Sequence, residues 1–129
     1  MDATSVVPVL IVEDEPSVMA FVRVALERNG YTVESAETGA AALTMLADRE
    51  YLGVISDMRT PGDVDGAGLY DWLHTNQPEV ARKMLFITGD TVNEETARAL
   101  ERTGAPFIEK PFRVSQLMEV VKRIIGEPR

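Results

Sequence analysis

Glu13, Asp14, Asp57, Thr88 and Lys110 are the residues of this chain whose types combine into chemistry. Glu13-Asp14 directly follows the apolar run Val9–Val12, and Asp57 follows Leu52–Ser56. Thr88 closes Met84–Thr88, and Lys110 comes just after Pro106–Ile108. Brought together, they make three carboxylates, one hydroxyl and one ammonium. Carboxylates ~4–5 Å apart repel by several kcal/mol at an effective dielectric of about 20, so they stay ionised together only around a cation. Oxygen-only ligands with open water positions suit Mg²⁺ or Mn²⁺ rather than zinc. A hard dication beside a hydroxyl and an ammonium is matched to a phosphoryl group, whose oxygens take metal, hydrogen-bond donor and positive charge at once. Asp57 then has two possible roles, a metal ligand or a nucleophile that forms an acyl phosphate. The chain offers no better nucleophile: it has one histidine, no cysteine and no GxSxG elbow.

These residues need elements that carry them to one place. The runs Val9–Val12, Leu52–Ser56 and Met84–Thr88 are continuous rather than alternating, as parallel strands buried on both faces are, and Tyr31–Val33 and Pro106–Ile108 complete a set of five. Between them lie helical stripes. Val18, Phe21, Val22, Ala25 and Leu26 end at Asn29-Gly30; Leu43, Leu46 and Ala47 mark a second helix, and Leu69 with Leu73 a third. Thr91-Val92-Asn93-Glu94 reads as a capping box opening a charge-rich fourth helix that Gly104 closes. Val114, Leu117, Met118, Val121, Ile124 and Ile125 stripe the fifth. The alternation predicts an α/β fold, a five-stranded parallel sheet doubly wound with five helices. In such sheets ligands bind beyond the carboxyl ends of the strands, where the strand order reverses. With order 2-1-3-4-5, the second strand, whose exit is Glu34-Ser35, is an edge. The other four exits converge.

Composition sets the limits. The 129 residues are the length of one domain, and 45% hydrophobic with 26% charged residues is the balance of a globular chain. Thirteen basic against twenty-one acidic side chains leave a net charge of −8, which argues against a nucleic-acid footprint. Val6–Val12 is too short for a membrane span, contains Pro8 and runs straight into acidic residues, so it is no signal peptide either. A single domain over residues 1–129, cytoplasmic and free of the membrane, is the expectation. Asp63-Val64-Asp65-Gly66 imitates half a calcium loop, but the first ligand would be Pro61 and the twelfth Trp72, so it reads as a turn. Gly66-Ala67-Gly68 lacks the rest of a dinucleotide fingerprint. His74 reads as structural, and Met84 and Met118 as core filler.

From roughly Val7 to Gly126 the chain resembles the receiver domain of bacterial two-component response regulators, a flavodoxin-like fold. Ile11-Val12-Glu13-Asp14-Glu15 is similar to that family's acidic opening, and Val54-Ile55-Ser56-Asp57 with Pro61 to its phospho-acceptor strand and loop. Ile87-Thr88-Gly89 matches the hydroxyl-bearing strand, and Glu109-Lys110-Pro111-Phe112 the lysine motif. Each motif alone is weak; four in order on strand exits are specific. The resemblance implies that Asp57 accepts a phosphoryl group from a phosphohistidine of a sensor kinase or phosphotransfer domain, with Thr88 and Lys110 assisting. It implies Mg²⁺ held by Glu13, Asp14, Asp57 and the main-chain carbonyl of Arg59. Thr88 and Phe107 would form the switch that alters the surface of the fourth helix, fifth strand and fifth helix for a downstream protein. Arg59 and Asp90 would stand at the rim and tune hydrolysis. The Lys110-Pro111 bond is expected to be cis. The chain departs from the family pattern at Thr60, in place of methionine, and in one extra residue between Pro61 and Gly66. It departs again at Phe107, in place of tyrosine, and at Arg113. The extended loop and Thr88-Gly89-Asp90-Thr91 look most like receivers attached to hybrid sensor kinases. No output domain follows Arg129, which fits either a stand-alone receiver or one excised from a longer chain.

Two other classes compete with a signalling switch that turns over no separate metabolite. A Mg²⁺-dependent phosphohydrolase with an aspartyl nucleophile generally carries a second acid two residues on, where this chain has Arg59, and needs a substrate-binding insertion. An interaction module that kept the fold without the chemistry has no use for an intact set of five polar residues.

Overall fold

The computed structural model describes residues 6–89 and 91–129. Five strands, β1 (Val9–Val12), β2 (Val33–Ala36), β3 (Gly53–Asp57), β4 (Met84–Thr88) and β5 (Phe107–Glu109), pair in parallel in the order β2-β1-β3-β4-β5. Around them lie α1 (Pro16–Arg28), α2 (Gly39–Asp48), α3 (Gly66–Asn76), α4 (Pro78–Ala81), α5 (Glu94–Thr103) and α6 (Val114–Ile124).

Side chains alternate across a strand, so a strand buried on both faces feeds two cores. Val9, Ile11, Ile55, Leu85, Ile87 and Ile108 point to the face covered by α1 and α6, where Val22, Leu26, Leu117 and Val121 meet them. Leu10, Val12, Val54, Met84 and Phe86 point the other way, onto Leu46, Leu69, Leu73 and Leu100. All four residues of β1 and all five of β4 are buried, which is why those runs carry no polar alternation. The register pairs Val12 with Ser56, Asp57 with Ile87, and Thr88 with Glu109. Glu13, Asp57, Thr88 and Lys110 therefore emerge at nearly the same height.

The expected fold and strand order are found, with three local corrections. Among the described residues there are six helices rather than five, because Pro78 at the first position of α4 starts one extra turn after α3. The second strand is Val33–Ala36, not Tyr31–Val33; Tyr31 is buried core ahead of it, and its hydroxyl donates to the Gly126 carbonyl. The helix after β4 is capped by Asn93, whose side chain accepts from the Thr96 N–H, rather than by Thr91. Thr91 instead donates its hydroxyl to Glu109 Oε2 at 2.7 Å, tying the β4–α5 loop to the end of β5. Among the described residues no helix is long and apolar enough to cross a membrane.

Candidate functional site

The acidic residues come together as their spacing predicts. One carboxylate oxygen each from Glu13, Asp14 and Asp57 lies within 4.8 Å of the others. Glu13 belongs to the floor of the site: it is 2% exposed, and its Oε2 accepts the Glu15 N–H at 3.0 Å. Its other oxygen, Oε1, is buried without a hydrogen-bond partner. Burial, followed by the charges of Asp57 and Asp14, raises the Glu13 carboxyl above its ordinary value, against the Glu15 N–H and the Lys110 ammonium. A buried, unbonded carboxylate oxygen within reach of two more carboxylates is an unfavourable arrangement on its own. An oxygen-binding dication would satisfy it, so these residues fit Mg²⁺.

Asp57 ends β3 with its carboxylate half-buried. The Arg59 N–H donates to Oδ1 at 3.1 Å and so limits how the carboxylate turns. Lys110 reaches in from the opposite wall. Its Nζ stands 3.7 Å from Asp57 Oδ2, 3.7 Å from Glu13 Oε1 and 3.6 Å from Glu15 Oε1. These are charge contacts, slightly too long for hydrogen bonds. The Lys110 N–H is itself fixed on the Thr88 carbonyl at 2.8 Å, and the Lys110-Pro111 peptide bond is cis. Thr88 is buried at the end of β4.

The loop after Asp57 explains two departures from the pattern. Thr60 donates its hydroxyl to the Val64 carbonyl at 2.7 Å, closing the longer loop with a bond methionine cannot make. Asp65 then caps α3 by accepting the Gly68 N–H at 2.8 Å, so the half calcium loop is a turn and a helix start. Arg59 lines a cleft against α5 with Arg98 and Arg102, and no ion pair among the described residues involves its guanidinium. Asp90, the other expected rim residue, lies outside the described residues. Phe107 is 47% exposed on β5, on the sheet edge beside α5 and α6. His74 is exposed and stacks on Tyr70, with ring centroids 6.0 Å apart, consistent with a structural role.

Sequence reasoning missed Glu15 as a partner of Lys110. Nothing in residue type or spacing announces it, because the contact depends on where the first turn of α1 points. It also missed an apolar groove along α1, lined by Phe21, Val24 and Val114, all partly exposed. Phe21 packs edge-on against Phe112, 5.6 Å between centroids, immediately beside the lysine loop.

The comparisons with known proteins agree with this site. The response regulator receiver domain family matches residues 9–122. The nitrogen assimilation regulatory protein NtrX of Azorhizobium caulinodans is 32% identical over 118 residues, which are 91% of this chain and 26% of that protein. The sensor kinase CckA of Brucella abortus is 36% identical over 131 residues, 96% of this chain and 13% of the kinase. The chain thus spans only about a quarter or less of the length of these two relatives. The crystal structure of the NtrX receiver domain from Brucella abortus superposes with a TM-score of 0.81 at 33% identity, covering 91% of this chain and 97% of that one. A CheY-like receiver from Methanospirillum hungatei gives 0.82 at 27% identity, with 94% of each chain covered. Strand order, the carboxylate cluster under a lysine and these matches lead to one conclusion: the chain belongs to the response regulator receiver domain family of two-component systems.

Proposed function

We propose that residues 1–129 form one phosphorylation-operated receiver in which Asp57 takes a phosphoryl group from a phosphohistidine of a sensor histidine kinase or phosphotransfer domain. The observation that carries this reading is the half-buried Asp57 carboxylate, within 4.8 Å of Glu13 and Asp14 and facing the Lys110 ammonium at 3.7 Å. Mg²⁺ bound by Glu13, Asp14, Asp57 and the main-chain carbonyl of Arg59 would neutralise phosphoryl oxygens as a Lewis acid.

The chain's own residues do the rest. A carboxylate oxygen of Asp57 attacks phosphorus in line with the P–N bond, which breaks with its electron pair on the imidazole nitrogen. The Arg59 N–H keeps the carboxylate in one orientation, so the attacking oxygen is presented rather than searched for. Lys110 balances charge on one phosphoryl oxygen, and the Thr88 hydroxyl donates to another. Drawing Thr88 towards the phosphoryl group opens space into which exposed Phe107 turns. That inward turn changes the α5–β5–α6 surface offered to a downstream protein. Phe107 has no hydroxyl to lock either position, so packing alone reports the switch. The domain acts on itself and turns over no separate metabolite.

Incubation with acetyl phosphate and Mg²⁺, followed by intact mass, tests the reading. One phosphate per chain is expected, absent in Asp57→Asn and absent with a chelator. Multiple turnover of unrelated phosphate esters would favour a hydrolase, and no incorporation at all would leave a silent interaction module.

A further inference from the structure

Glu15 occupies a position where helix stability favours a different residue. It is the N-cap of α1, a site at which Ser, Thr, Asp or Asn satisfies an exposed helix N–H. Its side chain makes no capping bond. Instead its carboxylate reaches across to Lys110, 3.6 Å from Nζ, the shortest of that ammonium's three carboxylate contacts among the described residues. Glu13 and Asp57 face the same ammonium from inside the site, whereas Glu15 is 60% exposed and faces it from the mouth.

We propose that Glu15 is a positioning residue that holds the Lys110 ammonium at the mouth and competes with an incoming phosphoryl group for it. Glu13 and Asp57 belong to the proposed metal-binding set, so among the described residues Glu15 is the one partner of Lys110 that stays available when that set is occupied. Its charge also opposes an anionic donor. Both effects have the same sign: neutralising Glu15 releases Lys110 towards the phosphoryl group and removes a repulsion. This inference rests on the receiver reading above, and it deepens that reading by naming a residue that sets loading by anionic phosphodonors.

The test compares wild type, Glu15→Gln and Glu15→Asp. In Glu15→Gln, the NMR resonances of the Lys110 side chain should shift in the unphosphorylated protein. Loading by acetyl phosphate with Mg²⁺ should then rise about two- to fivefold, the range open to a partly exposed charge pair. Glu15→Asp keeps the charge but is one methylene shorter and suited to capping α1. It should raise the melting temperature and also shift Lys110, because the contact is lost. Unchanged Lys110 resonances in Glu15→Gln would overturn the proposal, whether or not the wild type takes up phosphate. Loading by Glu15→Asp at the wild-type rate, with Glu15→Gln faster, would also overturn it, since rim charge alone would then suffice. Failure of the wild type to take up any phosphate would instead count against the receiver reading, and the Lys110 shifts would still decide this one.

Discussion

The proposed reactivity of Asp57 rests on what surrounds it. Its Oδ1 is held by the Arg59 N–H, its Oδ2 faces Lys110, and Glu13 beneath it has one oxygen bonded and one bare. Glu13, Asp14, Asp57, Thr88 and Lys110 were legible from type and position, since an acidic, hydroxyl or basic residue at the exit of a buried strand has few bland explanations. Glu15 was not legible, because a surface glutamate at a helix start looks like any other. Arg59 shows the difference between placement and contact. It stands two residues after Asp57 as expected, but its side chain lies in the cleft towards α5. We expect Arg59→Ala to admit water to the acyl phosphate and to speed dephosphorylation, by up to about tenfold if the barrier falls by ~1.4 kcal/mol. Stability should hardly change. The decay of phosphorylated protein, followed by intact mass, checks this, and the same assay on Asp90→Ala tests the other rim residue.

Elements were legible where one pattern dominated. β1, β3 and β4 show no polar alternation up to their polar exits, and only burial on both faces accounts for that. Boundaries failed where local chemistry competes. Thr91 resembles a cap but bonds Glu109, and Asn93 two residues on does the capping. Pro78 begins the short α4, a single turn too brief for an apolar stripe to announce. The join between β3 and α3 is tight, and a Cβ at Gly66 would lie 2.6 Å from the Asp57 carbonyl oxygen and 2.9 Å from Met58 Cα. Gly66→Ala must therefore push against the backbone that carries Asp57. We expect a loss of about 1–3 kcal/mol and slower loading with phosphate, read by thermal melting and acetyl phosphate uptake.

A second element-scale prediction concerns the α2–β3 connection. Tyr51 is buried and donates its hydroxyl to Glu34 Oε1 at 2.6 Å, while Arg49 pairs with Glu34 Oε2. Burial first, then the Glu34 hydrogen bond and charge, push the phenol from 10.0 up to about 12. A raised folded-state pKa means that the neutral form is the stabilised one. The contribution is complete below pH 10, declines as pH rises and is gone above about 12. An ultraviolet phenolate titration should show a late step that disappears in Tyr51→Phe.

At the scale of the whole molecule, the fold holds four strand ends at one height and so keeps like charges together at the carboxyl edge of the sheet. A cation that binds the folded chain and not the unfolded one must raise its stability by mass action. Ten times the dissociation constant of Mg²⁺ corresponds to about 1.4 kcal/mol, a rise of a few degrees in melting temperature. Asp14→Asn should reduce that rise, because one of three clustered carboxylates is gone. An unchanged melting temperature at millimolar Mg²⁺ would argue strongly against the site.

The central claim is that Asp57 itself carries the phosphoryl group, and trapping of the acyl phosphate tests it most directly. After acetyl phosphate and Mg²⁺, borohydride reduces an aspartyl phosphate to homoserine at the residue that bore it, and peptide mass spectrometry locates the change. The account predicts a change at residue 57 alone, and none when Mg²⁺ is chelated before loading. Homoserine at Asp14, at Asp63 or at any other aspartate, with Asp57 unaltered, would contradict it.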